Sequence, residues 1–324
     1  MVYPKLYVGA MSKTIIEIVC SYSQERGTPL GLVASRRQID GHKAGYVGWD
    51  IIDLRRYLRD KPGITLERDH GGPCQSDDND DGYQAMAIDS QFVDIIHVDV
   101  WKTYKEVDQA VKATADYIRY CLDLNEFCKF EVGTEEGIRP YSAEELEMFL
   151  NKLYVELGAD LFNTIIYAVI QSGTRIKGMT NIGIYDPDRL KAMIKICRDY
   201  SLLSKEHNAD YLPVEKIKER FDCGLSALNI APQIASIENE CNLLMMSEEQ
   251  KKELLDRCLK SKQLSRWFGD VTADSVSIMK ALAHYFRGNI RFQDISMDVY
   301  YATKNRLYDL FDTLLKKQPS VSSQ

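Results

Sequence analysis

No run of 18 apolar residues occurs anywhere in the chain, and its start carries no basic-then-apolar leader. Membrane insertion and secretion therefore find no support in the sequence, and a cytoplasmic location is expected. Metal-ribbon spacing is missing as well: the eight cysteines, at 20, 74, 121, 128, 197, 223, 241 and 258, form no CxxC pair. Reduced thiols packing as small hydrophobes account for them. Basic residues form no block, and Lys plus Arg number 41 against 48 Asp plus Glu, a net charge of −7. That balance lacks the electrostatic footprint of a nucleic-acid binder, and it leaves room for a local basic pocket that takes a small phosphorylated molecule. Histidine is scarce, with five in 324 residues, at 42, 70, 97, 207 and 284.

What the chain does have is a rhythm. Hydrophobic residues make up 45% and charged ones 27%, the mix of a soluble globular protein. Short apolar runs alternate with helical stretches of roughly 10 to 18 residues, which is the mark of βαβ units and a parallel sheet. Strands are expected near 30–34, 64–68, 94–99, 128–132, 162–170, 201–207, 226–230 and 289–292. Ser142 with Glu145 three residues on predicts a capped helix over 143–158, and Asp186 caps the next. Eight such units favour closure into an α/β (β/α)8 TIM barrel. An extra helix, Thr14 to Tyr22, is expected ahead of the barrel and further helices behind it. The reading is one domain over 1–320, with 316–324 a frayed tail.

In such a barrel the active site lies at the C-terminal ends of the strands and in the loops that follow. Polar residues just after the apolar runs are therefore the candidates: Ser35, Arg36 and Arg37, then Asp69 and His70, His97 and Asp99, Glu131 and Glu135, Gln171 and Arg175, His207 and Asp210, and Asn229. Three of the five histidines fall at these strand ends. Imidazoles and carboxylates converging from separate strands are what a divalent Zn2+, Mn2+ or Fe2+ site needs. The expected ligands are His70 and His207, with Glu135 or His97; the alternative is that these histidines merely bond their neighbours in a polar mouth. Asp69 is expected to point away from His70, because side chains of an extended segment alternate, and so to shuttle a proton. Glu135 and Asp210 are the other carboxylates placed for catalysis. Arg36 and Arg37 suit a phosphate, with Lys102 and Arg175 behind them, and Ser226 and Asn229 mark a second phosphate position.

Two segments imitate known motifs. Asp77, Asn79, Asp81 and Gly82 occupy positions of a calcium loop, but Ile88 stands where a bidentate Glu is required, so the segment reads as an acidic surface loop. Gly41 to Gly48 is glycine-rich without nucleotide-binding spacing, and reads as a mobile loop offering His42 and Lys43 to substrate.

Taken in order, the segments at 31–40 (ending ASRRQID), 45–48, RDHGGP, IIHVD, VGTEEG and HNADY resemble the family of the tagatose-bisphosphate aldolase accessory subunit, the "non-catalytic" partner of class II aldolases. That family shows Asp-His-x-Gly-Pro, Lys-Ile-His-x-Asp, Gly-Thr-Glu and His-x-x-Asp-Tyr segments in the same succession. The resemblance covers roughly residues 30–235. It implies a barrel whose mouth binds metal and a sugar phosphate, with Asp69-His70 as the proton-donor and metal-ligand pair. It also implies assembly with a partner aldolase chain, and a homo-oligomer is the other expectation. No histidine follows the fifth expected strand, so the full class II zinc set does not carry over. The expected activity is a metal-dependent carbon–carbon lyase on a phosphorylated ketose or related sugar phosphate. Two alternatives stay open: an epimerase or isomerase working through an enediolate, and a ligand-binding subunit that turns nothing over.

Overall fold

The computed structural model describes residues 3–41, 45–76, 79–269, 272–286 and 297–315. The chain begins with strand β1 (Leu6–Gly9) and helix α1 (Lys13–Arg26), followed by β2 (Leu30–Ser35), α2 (Ile51–Leu58), β3 (Ile64–Gly71), α3 (Tyr83–Phe92), β4 (Ile95–Val98) and α4 (Val107–Leu124). Next come β5 (Phe130–Val132), α5 (Ala143–Phe162), β6 (Ile165–Ile170), a small hairpin of β7 (Ile176–Lys177) and β8 (Thr180–Asn181), α6 (Pro187–Asp199), β9 (Leu203–Glu206), α7 (Val214–Asp222) and β10 (Ala227–Ile230). The chain continues through α8 (Pro232–Met245), α9 (Glu248–Leu259), α10 (Lys262–Phe268), α11 (Ser275–Leu282), a 3-10 turn (Ala283–Tyr285) and α12 (Met297–Leu315). No helix among the described residues is long and apolar enough to cross a membrane.

Eight strands close into a barrel in the order β1-β2-β3-β4-β5-β6-β9-β10, with every pairing parallel. The TIM barrel read from the sequence is present, but its first strand is not where the apolar rhythm begins. Leu6–Gly9 joins β10 to β2, pairing Leu6 with Leu228 and Tyr7 with Gly31. The helix expected ahead of the barrel thus follows β1 and belongs to the ring. The eighth strand expected at 289–292 lies outside the described residues, and the ring closes without it. His42, Lys43 and Asp77 lie outside them too.

Helix starts follow local chemistry: Ser12, Asp50, Ser142 and Asp186 each cap a helix with a side-chain oxygen. The largest core lies between strands and helices, where α12 packs Tyr308 and Phe311 on Tyr22 of α1. A second hydrophobic cluster, around Leu254, Cys258, Phe268 and Leu282, holds α9, α10 and α11 together.

Inside the ring, side chains from alternate strands form layers. Val33, Ile95, Tyr167 and Ala227, from β2, β4, β6 and β10, pack with Tyr7 in one cluster. The intervening strands β1, β3, β5 and β9 contribute Tyr7, Glu67, Glu131 and Lys205, all fully buried. Gly31 makes room for this packing, since a Cβ there would meet the Tyr7 ring at 2.0 Å.

Candidate active site

Strand β3 ends in the pair Asp69-His70. His70 adopts a left-handed backbone, φ 50°, and the β3–β4 register shifts between Arg68 and Gly71. That irregularity breaks the alternation on which the sequence reading relied, and it corrects the expected direction of Asp69. Asp69 Oδ1 lies 3.6 Å from His70 Nε2 and 3.9 Å from His207 Nδ1, so all three side chains aim at one point. Glu135, from the loop after β5, brings Oε2 to 3.6 Å from His70 Nε2 and 3.7 Å from His207 Nδ1.

Each of these imidazoles is oriented from behind by a buried carboxylate. His70 Nδ1 donates to Asp99 Oδ2 at 2.7 Å, and Asp99 also accepts from Thr134 Oγ1 (3.0 Å) and the Trp101 N–H (3.0 Å). His207 Nε2 donates to Glu131 Oε1 at 2.6 Å. With its only proton held on the far nitrogen, each ring would present the near one as a lone-pair donor, the arrangement of a metal-ligating histidine, in competition with the second proton that the surrounding carboxylates favour. His97 differs: its Nδ1 accepts the His70 backbone N–H (3.3 Å) while Nε2 donates to the Gly133 carbonyl (3.0 Å). Both of its ring nitrogens are in use. Ligand atoms of Asp69, His70, His97 and His207 nevertheless lie within 4.8 Å of one another.

The electrostatics follow from burial and from this charge arrangement. Burial disfavours a charged His70, yet Asp69, Asp99 and Glu135 outweigh it and hold its pKa well above the ordinary value. Burial likewise opposes charge on His207, but Glu131 and Glu135 with Asp69 raise its pKa to about 9. His97, desolvated beside two cationic rings, is pushed down to about 4 despite Glu131. Burial works against ionised Glu135 too, and the close approach of the His207 and His70 rings still holds it well below the carboxylate range. Asp210 is pushed up to about 7 by burial, although its Oδ1 accepts the Ala231 and Gln233 N–H groups, both at 2.8 Å, at the start of α8.

Four ligand atoms from two imidazoles and two carboxylates face one point, with neighbouring separations of 3.6 to 3.9 Å. Atoms bound tetrahedrally at about 2.1 Å to one ion sit roughly 3.4 Å apart, close to these four separations, so the residues are of a kind and spacing that could hold a divalent cation. Asp69 Oδ1 is buried and makes no hydrogen bond, and an orphaned carboxylate oxygen calls for a partner.

No family model matches the sequence, and no curated protein matches it. Solved structures do. The chain is similar to a structure described as a "probable tagatose 6 phosphate kinase" from Sinorhizobium meliloti, at 15% identity and a TM-score of 0.70, covering 96% of this chain and 87% of that one. It is similar to the YdjI aldolase of Escherichia coli K12, at 10% identity and a TM-score of 0.60, over 97% of this chain and 92% of that one. It is similar also to the fructose-bisphosphate aldolase of Campylobacter jejuni, at 13% identity and a TM-score of 0.59, over 96% and 90%. The chain shares the closed (β/α)8-barrel fold of these structures. Tagatose-type and aldolase neighbours are the two groups to which the sequence motifs pointed.

Within this barrel, a cavity of about 430 Å³ opens over the cluster. Of the residues expected at the site, Ser35, Arg37, Asp69, His70, Lys102, Glu135, Arg175, His207, Asp210 and Asn229 line it. Lys102 Nζ bonds Gln75 Oε1, while Asn229 Oδ1 is buried without a hydrogen bond. Two expectations are corrected. Arg36 is 5% exposed and turns from the mouth to pair with Asp40 and Asp80, because two carboxylates compete for it within reach. Ser226 precedes β10 and lies at the opposite end of the barrel, exchanging hydrogen bonds with Ser204. The sequence reading missed Arg266, Trp267 and Tyr285, which wall the cavity from α10 and the 3-10 turn. No periodicity or motif marks them, since only the packing of the C-terminal helices brings them over the mouth.

Proposed function

We propose that the protein is a divalent-metal-dependent carbon–carbon lyase of the aldolase kind, acting in the cytoplasm on a phosphorylated ketose or related sugar phosphate. The observation that carries this reading is the convergence of His70 Nε2, His207 Nδ1, Asp69 Oδ1 and Glu135 Oε2 on one point in the mouth of an aldolase-fold barrel. Two imidazoles and two carboxylates suit Zn2+ first, with Mn2+ or Fe2+ as neighbours in preference. When bound, such an ion supplies Lewis acidity, which lowers the energy of the negative charge that grows on a carbonyl oxygen as a carbon–carbon bond breaks.

The protein's own groups do the rest. Asp69 sits among the ligand atoms and is assigned there, and the proton-transfer role falls to Asp210. It lines the cavity, and its pKa near 7 lets it both take and return a proton at neutral pH. Arg37 and Arg175 are exposed at the rim, with Lys102 deeper, and would hold a phosphate by charge-assisted bonds. Asn229 offers its unpaired Oδ1 to a substrate hydroxyl. His97, neutral and bonded on both sides, keeps the His70 backbone in its left-handed turn. All eight cysteines are free, in keeping with a reducing compartment.

The test is direct. The purified chain with Zn2+ restored is incubated with triose phosphate plus aldehydes, and separately with phosphorylated ketoses. Condensation or cleavage that disappears in His207→Ala supports the lyase. Isomer interconversion without cleavage replaces it by an epimerase. Full metal uptake with no turnover, together with stimulation of an added aldolase, replaces it by an accessory subunit.

A further inference from the structure

Beneath the mouth, the barrel interior holds charge that the chemistry above does not use. Lys205 lies on β9 two residues before His207, so both side chains enter the barrel on the same face of the strand, one below the other. Its Nζ is 2.5 Å from Glu67 Oε1 on β3 and 2.7 Å from Glu131 Oε2 on β5, and none of the three side chains is exposed. The ammonium sits 3.8 Å from the Tyr7 ring centroid and 5.2 Å from that of Tyr167. Two aromatic faces and two carboxylates therefore fix a side chain that is ordinarily among the most mobile.

Glu131 is the hinge of this arrangement. Its Oε2 takes the lysine and its Oε1 takes His207 Nε2–H at 2.6 Å, so both oxygens are committed and the carboxylate cannot rotate without breaking one bond. With Nε2 bound, Nδ1 is the His207 nitrogen that faces Asp69 and Glu135. We propose that Lys205 and Glu131 are positioning residues for the cation site: Lys205 fixes Glu131, and Glu131 fixes the His207 ring so that Nδ1 is presented upward. This rests on the reading of the mouth as a cation site and deepens it, for it places one determinant of metal affinity a full side-chain layer below the ligands.

A layer that served only to fill the barrel would respond alike to loss of either carboxylate. The positioning role separates them, because Glu131 touches His207 and Glu67 does not. The experiment titrates the full-length protein, freed of metal, with Co2+ and records the dissociation constant and the visible d–d absorption of the bound ion, for wild type, Lys205→Met, Glu131→Gln and Glu67→Gln. Lys205→Met and Glu131→Gln should weaken Co2+ about 10- to 100-fold and alter the band, as loss of outer support to a ligand does. Glu67→Gln should stay within about threefold of wild type, with an unchanged band. Should Lys205→Met fail to fold, Lys205→Met combined with Glu67→Gln removes the lysine together with the carboxylate that does not touch His207, leaves Glu131 in place and must still show the loss. Wild-type affinity and spectrum in a folded Lys205 variant overturn the positioning role and leave the cation site standing. So does an equal loss in Glu67→Gln. A wild-type protein that takes up no Co2+ overturns both.

Discussion

The two imidazoles that face each other across the mouth are supported in different ways. Behind His70 stands Asp99, satisfied by a hydroxyl, from Thr134, and a backbone N–H, from Trp101. Behind His207 stands Glu131, satisfied by a buried lysine. The difference comes from depth. Asp99 follows the end of β4, where the chain leaves the sheet and its peptide groups are available as donors. Glu131 sits within β5, where the parallel ladder already uses the backbone, so only a side chain from another strand can reach it. A polar group at a strand end can be served by its own loop, whereas one inside a barrel needs a designated partner. Glu67 makes the same point in reverse: burial and the Glu131 charge push its pKa up although Lys205 is in contact, and its Oε2 is left without a hydrogen bond, since one lysine does not fully serve two carboxylates.

Removing an imidazole tests the comparison at its root. His70→Ala and His207→Ala should each abolish stoichiometric metal uptake, measured as metal content per chain after loading and desalting; retention by either variant would remove that ring from the ligand set. One step outward, the two supports should differ. Asp99→Asn keeps one acceptor oxygen, which can stay on His70 and Thr134 while the amide turns to the Trp101 side, and should weaken Co2+ about tenfold, whereas Glu131→Gln turns an amide toward Lys205 and should approach a hundredfold. Equal losses would erase the distinction drawn from depth.

Asp210 gives a smaller effect with a definite sign. Its folded pKa of about 7 lies above the ordinary value of 3.8, so between those limits the folded protein keeps a proton that the unfolded chain has released. Stability from this group is full below the ordinary value and declines as pH rises toward 7. Asp210→Asn retains an oxygen for the Ala231 and Gln233 N–H groups, so it should flatten the fall in melting temperature between pH 4 and pH 7 while abolishing turnover. A melting profile as steep as wild type would contradict the burial argument. Smallest of all, Arg37→Ala should raise KM for a phosphorylated substrate about tenfold and leave the unphosphorylated analogue untouched. Arg36→Ala should instead lower the melting temperature, since that side chain is committed to Asp40 and Asp80.

Most of the barrel could be read because its strands are buried on both faces and stand out as apolar runs between helices; β2 to β6, β9 and β10 lie in or across segments so marked. Leu6–Gly9 escaped because no described helix precedes it, so the alternation of helix and apolar run that marks the other strands begins only after it. The strand-end rule found Asp69, His70, His207, Glu135 and Asp210, since position along a strand is one-dimensional information. Direction is not. The left-handed backbone of His70 reverses the facing of Asp69, and nothing in RDHGGP announces it beyond the glycines that follow. Glu67, Glu131 and Lys205 did leave a trace, three charged residues each inside a short strand on β3, β5 and β9. Their meeting depends on barrel closure, which brings together residues as much as 138 positions apart.

The separate hydrophobic cluster of α9, α10 and α11 has a consequence for how such a protein can change. Those helices hold together through their own core and supply one wall of the cavity through Arg266, Trp267 and Tyr285. The ligand atoms come instead from the strand ends and their loops. Grafting a different helical trio onto the same ring of strands would reshape what the cavity admits while leaving the imidazole geometry intact, so the shape of the mouth and the cluster at its floor can be inherited, and altered, independently.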